Sequence, residues 1–173
     1  QEPRLVVHYA TLQNLYGVEE VLEAYKEGNA DFHDIVAEMA EIPRSQAKTI
    51  NLGLFYGMGK NKLQAELGVS RDKAEELFKK YHHKVPFVKQ LMDNVTRRAE
   101  DSGKVRTLLG RLCRFHLWEP NQFGIHKALS HEEALMEHGP GIKRAYTYKA
   151  LNKLIQGSAA DMTKKAMIEL YKE

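Results

Sequence analysis

The chain has 173 residues, 43% of them hydrophobic and 28% charged, with a net charge of +3. That suffices for one domain with a substantial core, and the composition is ordinary for a soluble globular protein. The charge alone does not announce a nucleic-acid binder, no apolar run approaches transmembrane length, and the N-terminus is not a signal peptide. The single cysteine, Cys113, rules out an internal disulfide and reads as a small apolar filler in a reducing compartment. The chain lacks an initiator Met and opens inside what reads as an element, so a piece of a longer protein is expected.

Helical periodicity dominates from the start. Leu5, Val6, Tyr9, Leu12 and Leu15, then Val21, Leu22 and Tyr25, predict two helices broken near Gly17. Asp31 to Ala40 predicts a short helix, and Pro43 stands where the next one would begin. That helix is expected to end at Gly57 and Gly59, followed by a short amphipathic helix from Lys60 to Leu67, closed by Gly68. Ser70 is a candidate N-cap for a helix burying Ala74, Leu77, Phe78 and Tyr81. Pro86 opens another, with Phe87, Val88, Leu91, Met92 and Val95 inward. Gly103 turns the chain into a hairpin with Val105, Thr107 and Leu109 alternating before Gly110. Residues 116–143 carry no clear period, and a last helix is expected from about Arg144 to Tyr171.

The stretch from Arg44 to Gly57 is the most informative. Arg44, Lys48, Leu52 and Tyr56 recur every four residues, which drifts by roughly 40° per step around a helix. They form one broad stripe with two cations at its N-terminal end and a ring further along. A helix N-terminus already favours anions through its free N–H groups and its dipole. Ala47, Ile50 and Leu54 supply a separate packing face. Such a helix can hold a polyphosphate at one end and a flat ring at the other, which describes a nucleotide; the same spacing also fits a solvated cationic helix end above core aromatics.

Arg44, Lys48, Tyr56 and Gly57 match every required position of motif B of the family A DNA polymerases, and the chain resembles that family along nearly its whole length. Gln1-Glu2-Pro3-Arg4 is similar to the second half of motif A, and Ala30 to His33 to the segment that follows it. Gly103 to Arg111 matches the family's hairpin segment, and Asn152 with Leu154 to Asp161 matches a palm helix. There are departures. Leu52 replaces a usual aromatic, Pro3 a common Leu and Tyr148 a frequent Arg, and the segment between Arg111 and Asn152 is longer than in bacterial members. These suggest a phage-like or environmental branch.

The resemblance implies a mainly α fold: a helical fingers subdomain plus adjoining palm helices, with one small β-hairpin. It divides the chain into a palm-proximal segment (1–24), a fingers region with an insertion (25–143) and a palm helix (144–173). It implies template-directed DNA synthesis, with dNTPs, primer-template DNA and the remaining palm and thumb as partners, in the cytoplasm of a bacterium or a phage-infected cell, and no membrane. Arg44 and Lys48 are the implied catalytic pair, contacting the triphosphate, with Lys48 donating a proton to leaving pyrophosphate. Glu2, His33, Leu52 and Tyr56 complete the dNTP set, Glu2 as a steric gate against a ribose 2′-OH and Tyr56 stacking near the template base. Arg4, Gly57, Thr107, Arg111, Asn152 and Gln156 are the implied DNA contacts.

Amides such as Asn152 and Gln156, one helical turn apart, both donate and accept, so they can read minor-groove acceptors without demanding a sequence. Arg97, Arg98, Lys104, Arg106 and Arg114 are candidate phosphate contacts, although charge runs are commonly just solvated faces. The family's two Mg²⁺ ions are expected on carboxylates outside this chain. His126, His131 and His138 do not form a zincin pattern, because position 135 is Leu. A missing catalytic Asp leaves open an alternative, a stand-alone helical DNA-binding or interaction module derived from a polymerase.

Overall fold

The computed structural model describes residues 2–28, 31–56 and 58–172. Glu2–Leu12 (α1) and Val18–Lys26 (α2) come first, joined through Gly17 at φ +85°. A Cβ on Gly17 would stand 3.2 Å from Pro86 Cγ, so backbone conformation and close approach both demand glycine there. Phe32–Ala40 (α3) starts at Asp31, whose carboxylate accepts the His33 backbone N–H at 2.7 Å. Arg44–Phe55 (α4) follows Pro43, and Lys60–Leu67 (α5) leads to Arg71–Lys84 (α6), where Ser70 caps by accepting the Lys73 N–H. Pro86–Ser102 (α7) ends this helical series.

The chain forms two compact units, Gln1–Asp93 and Asn94–Glu173. In the first, α3 packs along α4, and the rings of Phe32, Phe55 and Phe87 meet, with Phe32 centroids 5.9 Å from Phe55 and 6.4 Å from Phe87. Val6, Val21, Val36, Ile50, Leu63, Tyr81 and Leu91 are fully buried around them. Each such aliphatic side chain contributes about 1.5–3 kcal/mol by leaving water. Ala74, Leu77, Phe78 and Tyr81 are all buried, as the period of α6 predicts.

In the second unit Lys104–Arg106 (β1) pairs antiparallel with Leu112–Arg114 (β2), with Val105 opposite Cys113. Trp118–Pro120 (β3) pairs with Ile142–Arg144 (β4), and His131–His138 (α8) lies between them in sequence. A 3₁₀ turn at Thr147–Lys149 precedes Ala150–Lys172 (α9). The expected fold class holds, with two corrections. There are two antiparallel strand pairs among the described residues rather than one hairpin, because three-residue strands are too short to show a period. The last helix begins at Ala150, not Arg144, since β4 occupies 142–144 and Tyr146 adopts a left-handed φ of +63° that no helix accepts. The unreadable stretch nevertheless carries a capping box: Ser130 accepts the Glu133 N–H while the Glu133 carboxylate accepts the Ser130 N–H.

Asp161 ties the β1–β2 turn to α9. Its carboxylate accepts the Thr107 hydroxyl, the Arg111 Nε–H at 3.0 Å and the Leu109 N–H at 3.4 Å. Ser158 Oγ accepts the Leu108 N–H, and Arg111 Nη2 donates to the Gly157 carbonyl at 2.9 Å. The turn lies so close that a Cβ on Gly157 would meet Thr107 Cγ2 at 2.7 Å. The predicted alternation therefore stops at Arg106: Thr107 turns into the clamp and Leu109 is left exposed. The Thr107 hydrogen bond holds the Asp161 carboxyl below its ordinary 3.8, with burial opposing and Arg111 assisting.

Two outcomes test this clamp. Gly157→Ala should lower the denaturation midpoint of the 173-residue chain, because about 1–3 kcal/mol of overpacking exceeds the roughly 0.5–1 kcal/mol of helix propensity gained. A raised midpoint would mean that the turn does not press on α9. The depressed Asp161 carboxyl contributes stability that is complete above pH 3.8 and is lost as pH falls through the lower folded value. The stability gap between wild type and Asp161→Asn should therefore shrink in acid below that pH; a gap that stays constant in acid-unfolding curves contradicts the clamp.

Candidate nucleotide-binding site

α4 presents two chemically distinct faces. Ala47, Ile50, Asn51, Leu54 and Phe55 are buried, whereas Arg44, Lys48 and Tyr56 are exposed and Leu52 is half-buried. The stripe read from spacing is thus on the open side. The first turn of α4 carries no acidic residue of its own. Gly57, the remaining motif position, lies outside the described residues.

Arg44 is held by the two carboxylates at the start of α3, 3.3 Å from Asp31 and 2.5 Å from Asp34. All three side chains are about half exposed, so each pair is worth about 0–1 kcal/mol and exchanges readily for another anion. Lys48, one turn on, makes no ion pair with another described residue. Two cations, one loosely held, thus flank the helix start.

His33 belongs to the same group. Its Nδ1 lies 3.0 Å from Asn51 Nδ2, and Asn51 Oδ1 accepts the Tyr81 hydroxyl. Burial lowers the imidazole pKa below its ordinary 6.5; Asp31 pulls it back, and Arg44 and Lys48 push it down further. The ring is therefore neutral near pH 7 and offers a hydrogen-bond donor without a third positive charge. The spacing argument missed Asn51 and Tyr81. The legible signal was a polar residue, Asn51, in the apolar stripe of Ala47, Ile50 and Leu54.

Glu2 and Arg4 stand in the first turn of α1, Glu2 half-buried and Arg4 exposed. Arg4 acts electrostatically on Tyr25 of α2, partly offsetting the upward push of burial on that phenol. In the second unit, Asn152 and Gln156 are half-buried on α9, one turn apart. Tyr148 sits in the 3₁₀ turn, so it is not a further helical step along their face. Thr107 is 4% exposed, and its hydroxyl donates to Asp161 and accepts the Arg111 N–H. Arg111 remains exposed, although its Nε and Nη2 are engaged in the clamp. Arg97, Arg98, Lys104, Arg106 and Arg114 are all exposed.

No group of three or more His, Cys, Asp or Glu suited to a metal ion occurs among the described residues. Among the described residues, no helix is long and apolar enough to cross a membrane.

The sequence profile of DNA polymerase family A matches residues 2–173. A DNA-directed DNA polymerase of Pseudomonas phage M6 is 32% identical, the alignment covering 97% of this chain and 28% of that protein. DNA polymerase I of Geobacillus stearothermophilus is also 32% identical, over 98% of this chain and 18% of the relative. The POL domain of Pol1 from M. smegmatis, solved in complex with DNA primer-template and dNTP, superposes with a TM-score of 0.72 at 27% identity, covering 99% of this chain and 28% of that one. The chain thus spans less than a third of the length of each of these proteins. With the motif B stripe exposed on α4 and the match running the length of the chain, this chain belongs to DNA polymerase family A.

Proposed function

We propose that the chain is the nucleotide-selecting and DNA-contacting part of a polymerase that carries out template-directed DNA synthesis. The observation that carries this reading is the α4 face, with Arg44 and Lys48 exposed near the helix N-terminus and neutral His33 beside them. Transfer of a nucleotidyl group concentrates negative charge on the triphosphate, and positioned cations lower that barrier most where the charge is greatest. Arg44 exchanges Asp31 and Asp34 for phosphate oxygens, and Lys48 supplies both charge and a proton for departing pyrophosphate. Tyr56 stacks at the insertion site, Leu52 borders the sugar, and Glu2 excludes a ribose 2′-OH.

Asn152 and Gln156 read the minor-groove acceptors common to all base pairs. Arg4, Gly57, Thr107 and Arg111 contact the DNA, and Arg111 with the exposed basic residues of 94–114 contacts its phosphates. The assignment of 1–24 and 144–173 to the palm, and of 25–143 to the fingers, belongs to the same reading, as do the rest of the palm and the thumb as partners and a cytoplasmic setting. Family A polymerases generally use divalent metals; in this reading two Mg²⁺ ions are held by carboxylates outside this chain.

Lys48→Ala, in the polymerase that carries this segment, should slow single-turnover incorporation on the order of 10²–10³-fold, the usual loss for one preorganised charge donor. Unchanged incorporation would remove the nucleotide assignment and favour a helical DNA-binding module. Leu52→Tyr should raise the use of dideoxynucleotides relative to deoxynucleotides, because a phenolic hydroxyl replaces a polar partner that the missing 3′-OH leaves absent. Ratios that do not move in competitive incorporation assays would mean that Leu52 packs inward rather than toward the sugar.

A further inference from the structure

Asn51 is fully buried on the packed side of α4, yet its side chain is polar at both ends. α6 and α3 each contribute one partner. The Tyr81 hydroxyl donates to Asn51 Oδ1 at 2.5 Å, and Asn51 Nδ2 faces His33 Nδ1 at 3.0 Å. We propose that Tyr81 and Asn51 are positioning residues that lock His33 as its Nε2–H tautomer and present that N–H as a donor to the triphosphate of a bound nucleotide. This rests on the nucleotide reading of the α4 face.

The direction of the relay follows from what each group can give. Tyr81 is fully buried, and burial pushes its phenol upward, so the hydroxyl keeps its proton and must place it on an acceptor. Asn51 Oδ1 is that acceptor. Turning the amide over would put N–H against the Tyr81 oxygen and strand the Tyr81 proton in the core, a costly arrangement for a buried donor. With Oδ1 fixed on Tyr81, Nδ2 must donate to His33, so Nδ1 carries the lone pair and the proton sits on Nε2. The two ring nitrogens point to roughly opposite sides of the imidazole. Tying Nδ1 to the core therefore turns Nε2–H outward, next to the stripe.

The surrounding charges fit a neutral ring. Asp31 and Asp34 face it from the start of α3, and Arg44 and Lys48 from α4, whereas α6 reaches it through the uncharged Tyr81–Asn51 pair. A partner that orients the far nitrogen of a histidine is a familiar way of fixing its tautomer and aim. Here the chain of contacts links residues 18 and 30 positions apart, so three helices must be packed before the donor is set.

Long-range ¹⁵N–¹H spectra of the histidine rings in the 173-residue chain, with His33 assigned by His33→Gln, read the tautomer directly. The expected wild-type signature is Nε2–H, with a titration below the ordinary 6.5. Tyr81→Phe removes one oxygen and keeps the ring packing; it should give a mixed tautomer and a titration shifted up toward 6.5. Asn51→Leu should do the same more strongly. In the polymerase carrying this segment, Tyr81→Phe should raise KM for dNTP about tenfold, the loss of one oriented hydrogen bond to a charged group, with kcat little changed. An Nδ1–H signature in the wild type overturns the proposal, as does a tautomer, titration and KM unmoved by Tyr81→Phe. The nucleotide reading fails by a different result, incorporation unaffected by Lys48→Ala, whatever the tautomer of His33.

Discussion

The packing of α4 on α3 decides which way every residue of the stripe looks. Phe55 meets Phe32, Ile50 and Ala47 are fully buried, and that burial leaves Arg44, Lys48 and Tyr56 nowhere to go but outward. The same contact brings the start of α3 beside the start of α4. Asp31 therefore serves twice, capping α3 through the His33 N–H and holding the Arg44 guanidinium.

Electrostatics then divide the labour among groups only a few ångströms apart. Arg44 is parked on two half-exposed carboxylates, a weak hold that an anion of higher charge can replace. Lys48 carries no such partner among the described residues. His33, pressed by burial and by both cations, stays uncharged and is tied inward through Asn51 to Tyr81. Among the described residues, the face therefore combines a cation held by carboxylates, a cation without an ion pair and a neutral donor. In residues 94–173 a comparable logic is structural: Asp161 gathers Thr107, Leu109 and Arg111 onto α9, close beside the Gln156 turn.

Local signals carried much of this. The Ser70 cap, the buried side of α6, the break at Gly17 and the four-residue stripe on α4 all depend on neighbours within one or two turns, and all stand where periodicity puts them. What escaped depends on partners far apart in sequence. The hydrogen bond from Thr107 to Asp161 joins residues 54 apart, so nothing near Thr107 announces it. Tyr81 reads only as core, and nothing local marks Asn51 as its partner, because the polar bond joining them spans 30 residues. Strands β3 and β4 hold three residues each and gain their order by pairing with each other, so neither shows a pattern alone.

A crystal structure of the polymerase carrying this segment, trapped with primer-template DNA and a non-hydrolysable dNTP, tests the central claim most directly. The account predicts that Arg44 has left Asp31 and Asp34 for the phosphates, with Lys48 and His33 Nε2 within hydrogen-bond distance of the same triphosphate. A triphosphate seated away from the start of α4, with Arg44 still on its two carboxylates, would contradict it.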